Sequence, residues 1–318
     1  MSSTADCKSI SPECPIEDTI YGYYPNLGAN VVMVAIFAIC AIAQLYLGFR
    51  YKLRAYPAVV FLGCLGECVG YVGRVLMHSN PWDSGPFIIQ ILLLIVSPSL
   101  LAAGLYLTLK HLVLHFGPEY SRLSPKWYTW LFVACDAIGF LTQCIGGGIQ
   151  ASADNTDQKT LNMGNNIMVA GVSFQAATMV VCGLLAADFA YSLYRHRGER
   201  KTAAQGTSPR GAKAFQFYLA CFVTAFLAIL TRCIYRIPEM AGGWKNHLMR
   251  DEVGFMILDG AMIAIASILM TVAFPGAYFP AMKNKAKKGS QSSEITIEDG
   301  RATSEELSNL KPTNYSPV

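Results

Sequence analysis

The sequence predicts an all-α membrane protein: a bundle of seven transmembrane helices with the N-terminus outside and the C-terminus cytoplasmic. Three observations predict it. Only 14% of the 318 residues are charged while 53% are hydrophobic, and the mean hydropathy is +0.35; soluble proteins carry roughly 25% charged residues. No soluble fold covers so much apolar surface with so few charges, which excludes a soluble enzyme, a nucleic-acid module and a disordered chain. Seven windows approach the ~20 apolar residues that a bilayer span needs. Lys and Arg then alternate between the connections in the manner that sets membrane orientation.

Residues 1–26 form a polar exoplasmic tail with Asp6, Glu13, Glu17 and Asp18. The first span, Leu27 to Phe49, is too long for a signal-peptide h-region and is expected to stay as an uncleaved anchor. Arg50, Lys52 and Arg54 follow it. The second span is Pro57 to Met77 and the third Phe87 to Leu109, followed by Lys110, Arg122 and Lys126. The fourth is Tyr128 to Ile149. The fifth, Ile167 to Ala187, precedes Arg195, Arg197, Arg200, Lys201, Arg210 and Lys213. The sixth is Ala214 to Tyr235. The seventh, Val253 to Phe274, is followed by Lys283, Lys285, Lys287, Lys288, Arg301 and Lys311. These runs put 18 of the 25 basic residues on one side, the cytoplasmic one. Residues 27–276 are thus the membrane domain, and residues 277–318, rich in Lys, Ser, Thr and Glu, are a disordered cytoplasmic tail.

Lys283, Lys285, Lys287 and Lys288 stand where anionic inner-leaflet lipid lies; the plainer reading is a topology signal. Cys7 and Cys14 lie on the oxidising side, where a disulfide and two free thiols are both open readings. The other eight cysteines fall within spans, as small apolar fillers.

Function is sought where the membrane rule is broken, since a charge at the bilayer centre costs ~2.5–3.5 kcal/mol even on the lenient scale. The second span carries Glu67, Tyr71 and Arg74; the first and last of these are two helical turns apart and face one way. The fourth carries Asp136 and Gln143, and the fifth Gln175. The sixth ends in Arg232, Tyr235, Arg236 and Glu239, on steps of three and four that make one face. The seventh opens with Glu252 and carries Asp259. With the predicted orientation these groups converge near the outer half of the bilayer, Glu67 and Asp136 being nearest its middle. They predict a polar, acid-rich cavity lined from five helices, although structural ion pairing explains any one of them singly. Pro98 in the third span is expected to kink the helix and free a backbone carbonyl. Gly63, Gly66, Gly70 and Gly73 are expected to let helices approach closely.

No Walker A pattern, no Gly-x-Ser-x-Gly elbow and no lysine in the seventh span occur. Neither enzymatic activity nor a cofactor, metal or nucleic-acid partner is expected.

At these same residues the chain resembles the fungal RTA-like proteins (resistance to aminocholesterol), also called the lipid-translocating exporter family. The motifs are Glu67-x-x-Gly70-Tyr71-x-x-Arg74; Pro98 with Ala102, Ala103 and Tyr106; Asp136 with Gln143 and Gly146 to Gly148; Gly171 with Gln175; and Arg232-x-x-Tyr235-Arg236-x-x-Glu239, followed by Glu252 and Asp259. The resemblance covers about Tyr24 to Tyr278. It implies a fungal, multi-pass plasma-membrane protein that exports amphipathic lipids such as sphingoid long-chain bases, or gives drug resistance against toxic amphiphiles. Porphyrin or haem transport is described for some members. The alternative from a different class is a receptor-like lipid or stress sensor, since an outer cavity also serves as a ligand pocket.

Overall fold

A computed structural model describes residues 22–116, 125–152, 157–195, 209–242 and 251–278, with Ile16 and Thr19 ahead of them. Cys7, Cys14, Lys283, Lys285, Lys287 and Lys288 lie outside the described residues. The helices are α1 (Leu27–Tyr51), α2 (Ala55–Ser79), α3 (Ser84–Phe116), α4 (Pro125–Ser152), α5 (Gln158–Arg195) and α6 (Pro209–Ala241). The next, α7, starts as Glu252–Phe255, widens to a π-helix over Met256–Ala261 and returns to α-helix over Met262–Val272. A last turn, α8, is Pro275–Tyr278. Seven of these segments are long and apolar enough to cross a membrane, as the sequence predicts. The helices overrun the predicted spans, most of all α5, because a helix does not stop where the hydrocarbon does; its Asp157 cap lies ten residues before Ile167.

Local chemistry sets the ends. Asn26 caps α1 by accepting the Ala29 N–H at 3.0 Å, and Lys52 closes it in the left-handed conformation, its N–H bonded to the Phe49 carbonyl. Asp157 accepts the Thr160 N–H at 3.2 Å and its hydroxyl at 2.6 Å, bonds that hold its carboxyl below the usual carboxylate range. Asp251 caps α7 through the Gly254 N–H at 3.2 Å.

Consecutive helices pack side by side from α1 to α7, and α7 closes the bundle against α1 as well as α6. Lipid offers no hydrophobic drive for this association, so close packing supplies it. The second-span glycines lie against α3: a Cβ on Gly66 would collide with the Ser97 hydroxyl, and one on Gly73 would sit 2.9 Å from the Pro86 carbonyl. Between α4 and α5, Gly146 and Gly171 approach the backbone carbonyls of Gly164 and Gly139 in the same way. Phe37 stacks on Tyr71 at 5.7 Å in the core, while Ile39, Ile42, Phe49 and Leu184 point outward, as lipid-facing side chains do.

Candidate functional site

The intramembrane charges are buried. Glu67, Arg74, Asp136, Gln143, Gln175, Arg232, Arg236, Glu239 and Asp259 are all at most 7% exposed. Tyr71 is fully buried, Tyr235 is half-buried, and the Glu252 side chain is 23% exposed. The structure sorts them into four groups.

The central group joins α6 to α7. Asp259 Oδ1 accepts Arg232 Nε at 2.8 Å and lies 3.5 Å from Arg236 Nε. Arg236 also donates to Glu239 Oε2 at 2.8 Å, one turn along its own helix. The π-helical stretch of α7 carries Asp259 and Gly260 at this level; such widened turns recur at functional sites. Gly260 gives room to Tyr71, whose hydroxyl lies only 2.5 Å from where a Cβ would stand. Arg232 makes a further bond that Pro98 prepares. Pro98 lies inside α3 and has no N–H, so the carbonyl four residues earlier, that of Leu94, loses its helical donor. Arg232 Nη2 donates to that carbonyl. The carbonyl predicted to be freed is therefore the one that anchors an arginine.

Glu67 sits within electrostatic reach of Arg232, Arg236 and Asp259, and its Oε1 has no hydrogen-bond partner. Arg74 lies two turns further along α2 and does not pair with Glu67. Its Nη2 lies 3.6 Å from Glu252 Oε1 and donates to the Tyr23 hydroxyl at 3.2 Å, its Nε donates to Asn30 Oδ1 at 3.2 Å, and its guanidinium lies 4.3 Å over the Phe255 ring. Glu252 Oε1 also accepts the Asn26 N–H at 2.6 Å. This second group bolts the segment before α1 to α2 and α7. Burial raises the Tyr23 hydroxyl above the usual phenol range, with Arg74 pulling against it.

Asp136 forms the third group with Tyr106, which donates to its Oδ2 at 3.0 Å; Oδ1 has no hydrogen-bond partner. The fourth is a short amide chain: Gln143 Nε2 donates to Gln175 Oε1 at 3.1 Å, and Gln175 Nε2 to the Ser99 hydroxyl at 2.6 Å. Spacing within one helix had no means of naming Tyr23, Asn30, Ser99, Phe255 or the Leu94 carbonyl as partners, because each arrives from another helix, from the segment before α1 or from backbone. Pro98 was the one sequence signal for the last of these.

A cavity of about 440 Å³ lies elsewhere, between α3, α5 and α6. Its walls are apolar, and of the residues in the four groups only Tyr106 lines it.

The family profile described as "RTA1 like protein" matches residues 60–282. The chain is 28% identical over 285 residues to the sphingoid long-chain base transporter RSB1 of Saccharomyces cerevisiae, covering 81% of this chain and 74% of the relative. It is 26% identical to protein RTA1 of the same yeast over 282 residues, covering 80% and 84% of the two chains. It is 29% identical to protoporphyrin uptake protein 1 over 297 residues, covering 82% and 92%. No solved structure matches.

Proposed function

The chain belongs to the RTA1-like protein family, and on that premise we propose that it is a plasma-membrane transporter of amphipathic lipids, with sphingoid long-chain bases among its substrates. The relative named as a sphingoid long-chain base transporter supports the lipid class. One observation carries the extension to cationic head groups: the bundle buries more carboxylates than arginines, and two of the carboxylates, Glu67 and Asp136, have no arginine at salt-bridge distance among the described residues. An acid held at membrane depth without a basic partner is costly. A cationic amphiphile passing beside it supplies the missing partner.

Arg232, Arg236 and Arg74 act in this reading as fixed posts. They hold Asp259, Glu239 and Glu252, leaving Glu67 and Asp136 to meet the substrate. The amide chain Gln143 to Ser99 holds α4, α5 and α3 together beside them. The test is purified protein in liposomes with a fluorescent long-chain base, scored for exchange between leaflets. Exchange above protein-free liposomes that falls in Glu67→Gln and Asp136→Asn supports transport. Binding without exchange rejects it and favours a lipid sensor.

A further inference from the structure

We propose that Glu67 is a proton-binding site at which a proton and the cationic substrate exclude one another, so that transport runs as an exchange of the two; its use rests on the transport reading above, while the site itself does not. Among the described residues the charges acting on Glu67 are Arg232 and Arg236 from α6 and Asp259 from α7. Cys64 and Tyr71 face it from its own helix. The two arginines are already matched: Arg232 holds Asp259 and Arg236 holds Glu239, each at 2.8 Å. Glu67 is thus a third acid beside two bases. It is 1% exposed, and its Oε1 has no hydrogen-bond partner. A buried carboxyl without a counter-ion is neutralised rather than left charged. A metal cation would meet two guanidiniums that repel it, and the described residues hold no cluster of three metal-ligating His, Cys, Asp or Glu. A proton removes the excess charge, needs a single oxygen and turns an acceptor into a donor.

Buried polar groups also lead to Glu67 from both directions. Cys64, one turn away on α2, lies beside Ser267 of α7. Thr271 donates to the Ser267 carbonyl at 2.7 Å and accepts Gln44 Nε2 of α1 at 3.1 Å. Gln44 is fully buried, and its Oε1 has no hydrogen-bond partner. In the other direction the Tyr71 hydroxyl, also without a partner, stands against Gly260 within electrostatic reach of Asp259. Beyond it the Glu252 side chain reaches 23% exposure. On α2 this file runs beside Tyr56 to Arg74, about 27 Å at 1.5 Å per residue, close to the ~30 Å of a hydrocarbon core. Gln44, Glu67 and Tyr71 are three buried oxygens on one file that lack donors. Water supplies donors, and buried polar sites are where it is held. Asp136 has no such file: its described neighbours are Tyr106, Cys182 and Cys233. The proton is therefore assigned to Glu67.

In the exchange an ammonium takes the proton's place on the carboxylate and one proton leaves for the file, so the charge on the protein is conserved. Raising the pH frees the carboxylate. Binding of a cation should therefore tighten with pH, by up to about tenfold per unit while the proton is still held. The full chain in nanodiscs is titrated in weak buffer, with a pH-indicator dye, using N,N,N-trimethylsphingosine, whose charge is fixed and whose head has no proton to give. About one proton should be released per molecule bound. Glu67→Gln should release none and lose the pH dependence. Because the release is read on the unaltered protein, it does not depend on the variant's folding. Infrared difference spectra without the probe should show the carbonyl stretch of a protonated carboxyl that disappears in Glu67→Gln. Spectra that match in the two proteins, or probe binding that releases no proton, would overturn the proposal. A Glu67-dependent band without probe binding upholds the proton site and removes the cationic-substrate reading. A probe that crosses between leaflets in the absence of that band does the reverse.

Discussion

Arg232 donates a hydrogen bond to the backbone carbonyl of Leu94, across the interface between α6 and α3. The acceptor is available because Pro98 cannot donate to it. Arg232 is at the same time the 2.8 Å partner of Asp259. One proline thus helps fix the arginine that positions the acid of α7, and three helices are tied through a single guanidinium.

Pro98→Ala restores an N–H that competes for the Leu94 carbonyl. Ala is favoured over Pro inside a helix by roughly 3 kcal/mol, so the variant should reach the membrane at normal or higher levels. Its transport should nevertheless fall about tenfold, the worth of one hydrogen bond to a charged group. Quantified membrane abundance beside leaflet exchange checks this. A stable variant with full exchange would show that the Arg232 anchor has no part in activity.

Between the last turns of α2 and the start of α7, Arg74 and Glu252 predict unequal losses. Glu252 is partly exposed, so Glu252→Gln should cost only ~0–1 kcal/mol. Arg74→Ala also removes the hydrogen bonds to Asn30 and Tyr23 and should cost several times more, with ~1–3 kcal/mol for the buried Asn30 amide oxygen alone. Thermal unfolding in detergent reads the difference. Equal shifts would mean that the ion pair, and not the hydrogen bonds from Arg74 to Asn30 and Tyr23, holds this end of the bundle together.

The seven helices were legible because span length and apolarity are properties of each window alone. The pair Arg236 and Glu239 was legible for the same reason, lying one turn apart on one helix. Arg232 with Asp259, and Arg74 with Glu252, were not: each pair is assembled by packing between helices, and the spacing of same-face residues says nothing about a neighbour's register. The π-helical stretch at Met256–Ala261 left no trace in composition, since it adjusts backbone register around Asp259 and Gly260 without a proline. The cavity between α3, α5 and α6 escaped because its walls are mostly ordinary Leu, Ala, Val and Phe, indistinguishable in sequence from core or lipid-facing residues. The predicted site was drawn from polar residues, and apolar space is invisible to that search.

Orientation is predicted from the basic residues alone. A tag before Met1 should be reachable by antibody on intact cells, and a tag after Val318 only after permeabilisation. In that orientation the Arg74 and Glu252 group lies toward the outside and the apolar cavity between α3, α5 and α6 lies in the cytoplasmic half. The opposite labelling pattern would invert both placements while leaving every contact described above intact.

Asp136 and Asp259 are both buried acids, yet their surroundings predict different fates for the same substitution. Asp259 sits between two arginines. Asp259→Asn takes the carboxylate partner from Arg232, while Arg236 keeps Glu239, and breaking a buried pair costs about 3–5 kcal/mol, so the variant should be thermally weaker and less abundant in the membrane. Asp136 has Tyr106 as its hydrogen-bond partner and no arginine at salt-bridge distance among the described residues. An Asn there still accepts the Tyr106 hydroxyl through its carbonyl oxygen and loses only the charge. Asp136→Asn should therefore keep near-normal abundance and thermal stability while export of a cationic amphiphile falls about tenfold or more, as for a lost charge-assisted contact. A tail change, Lys287→Gln, should alter neither quantity. The decisive comparison is abundance against export for the three variants in one strain background. If Asp136→Asn exports normally, its carboxylate is not the substrate's partner and the cationic-head reading falls; if Asp259→Asn is fully stable, the arginines do not depend on it and the posts assigned to them must lie elsewhere.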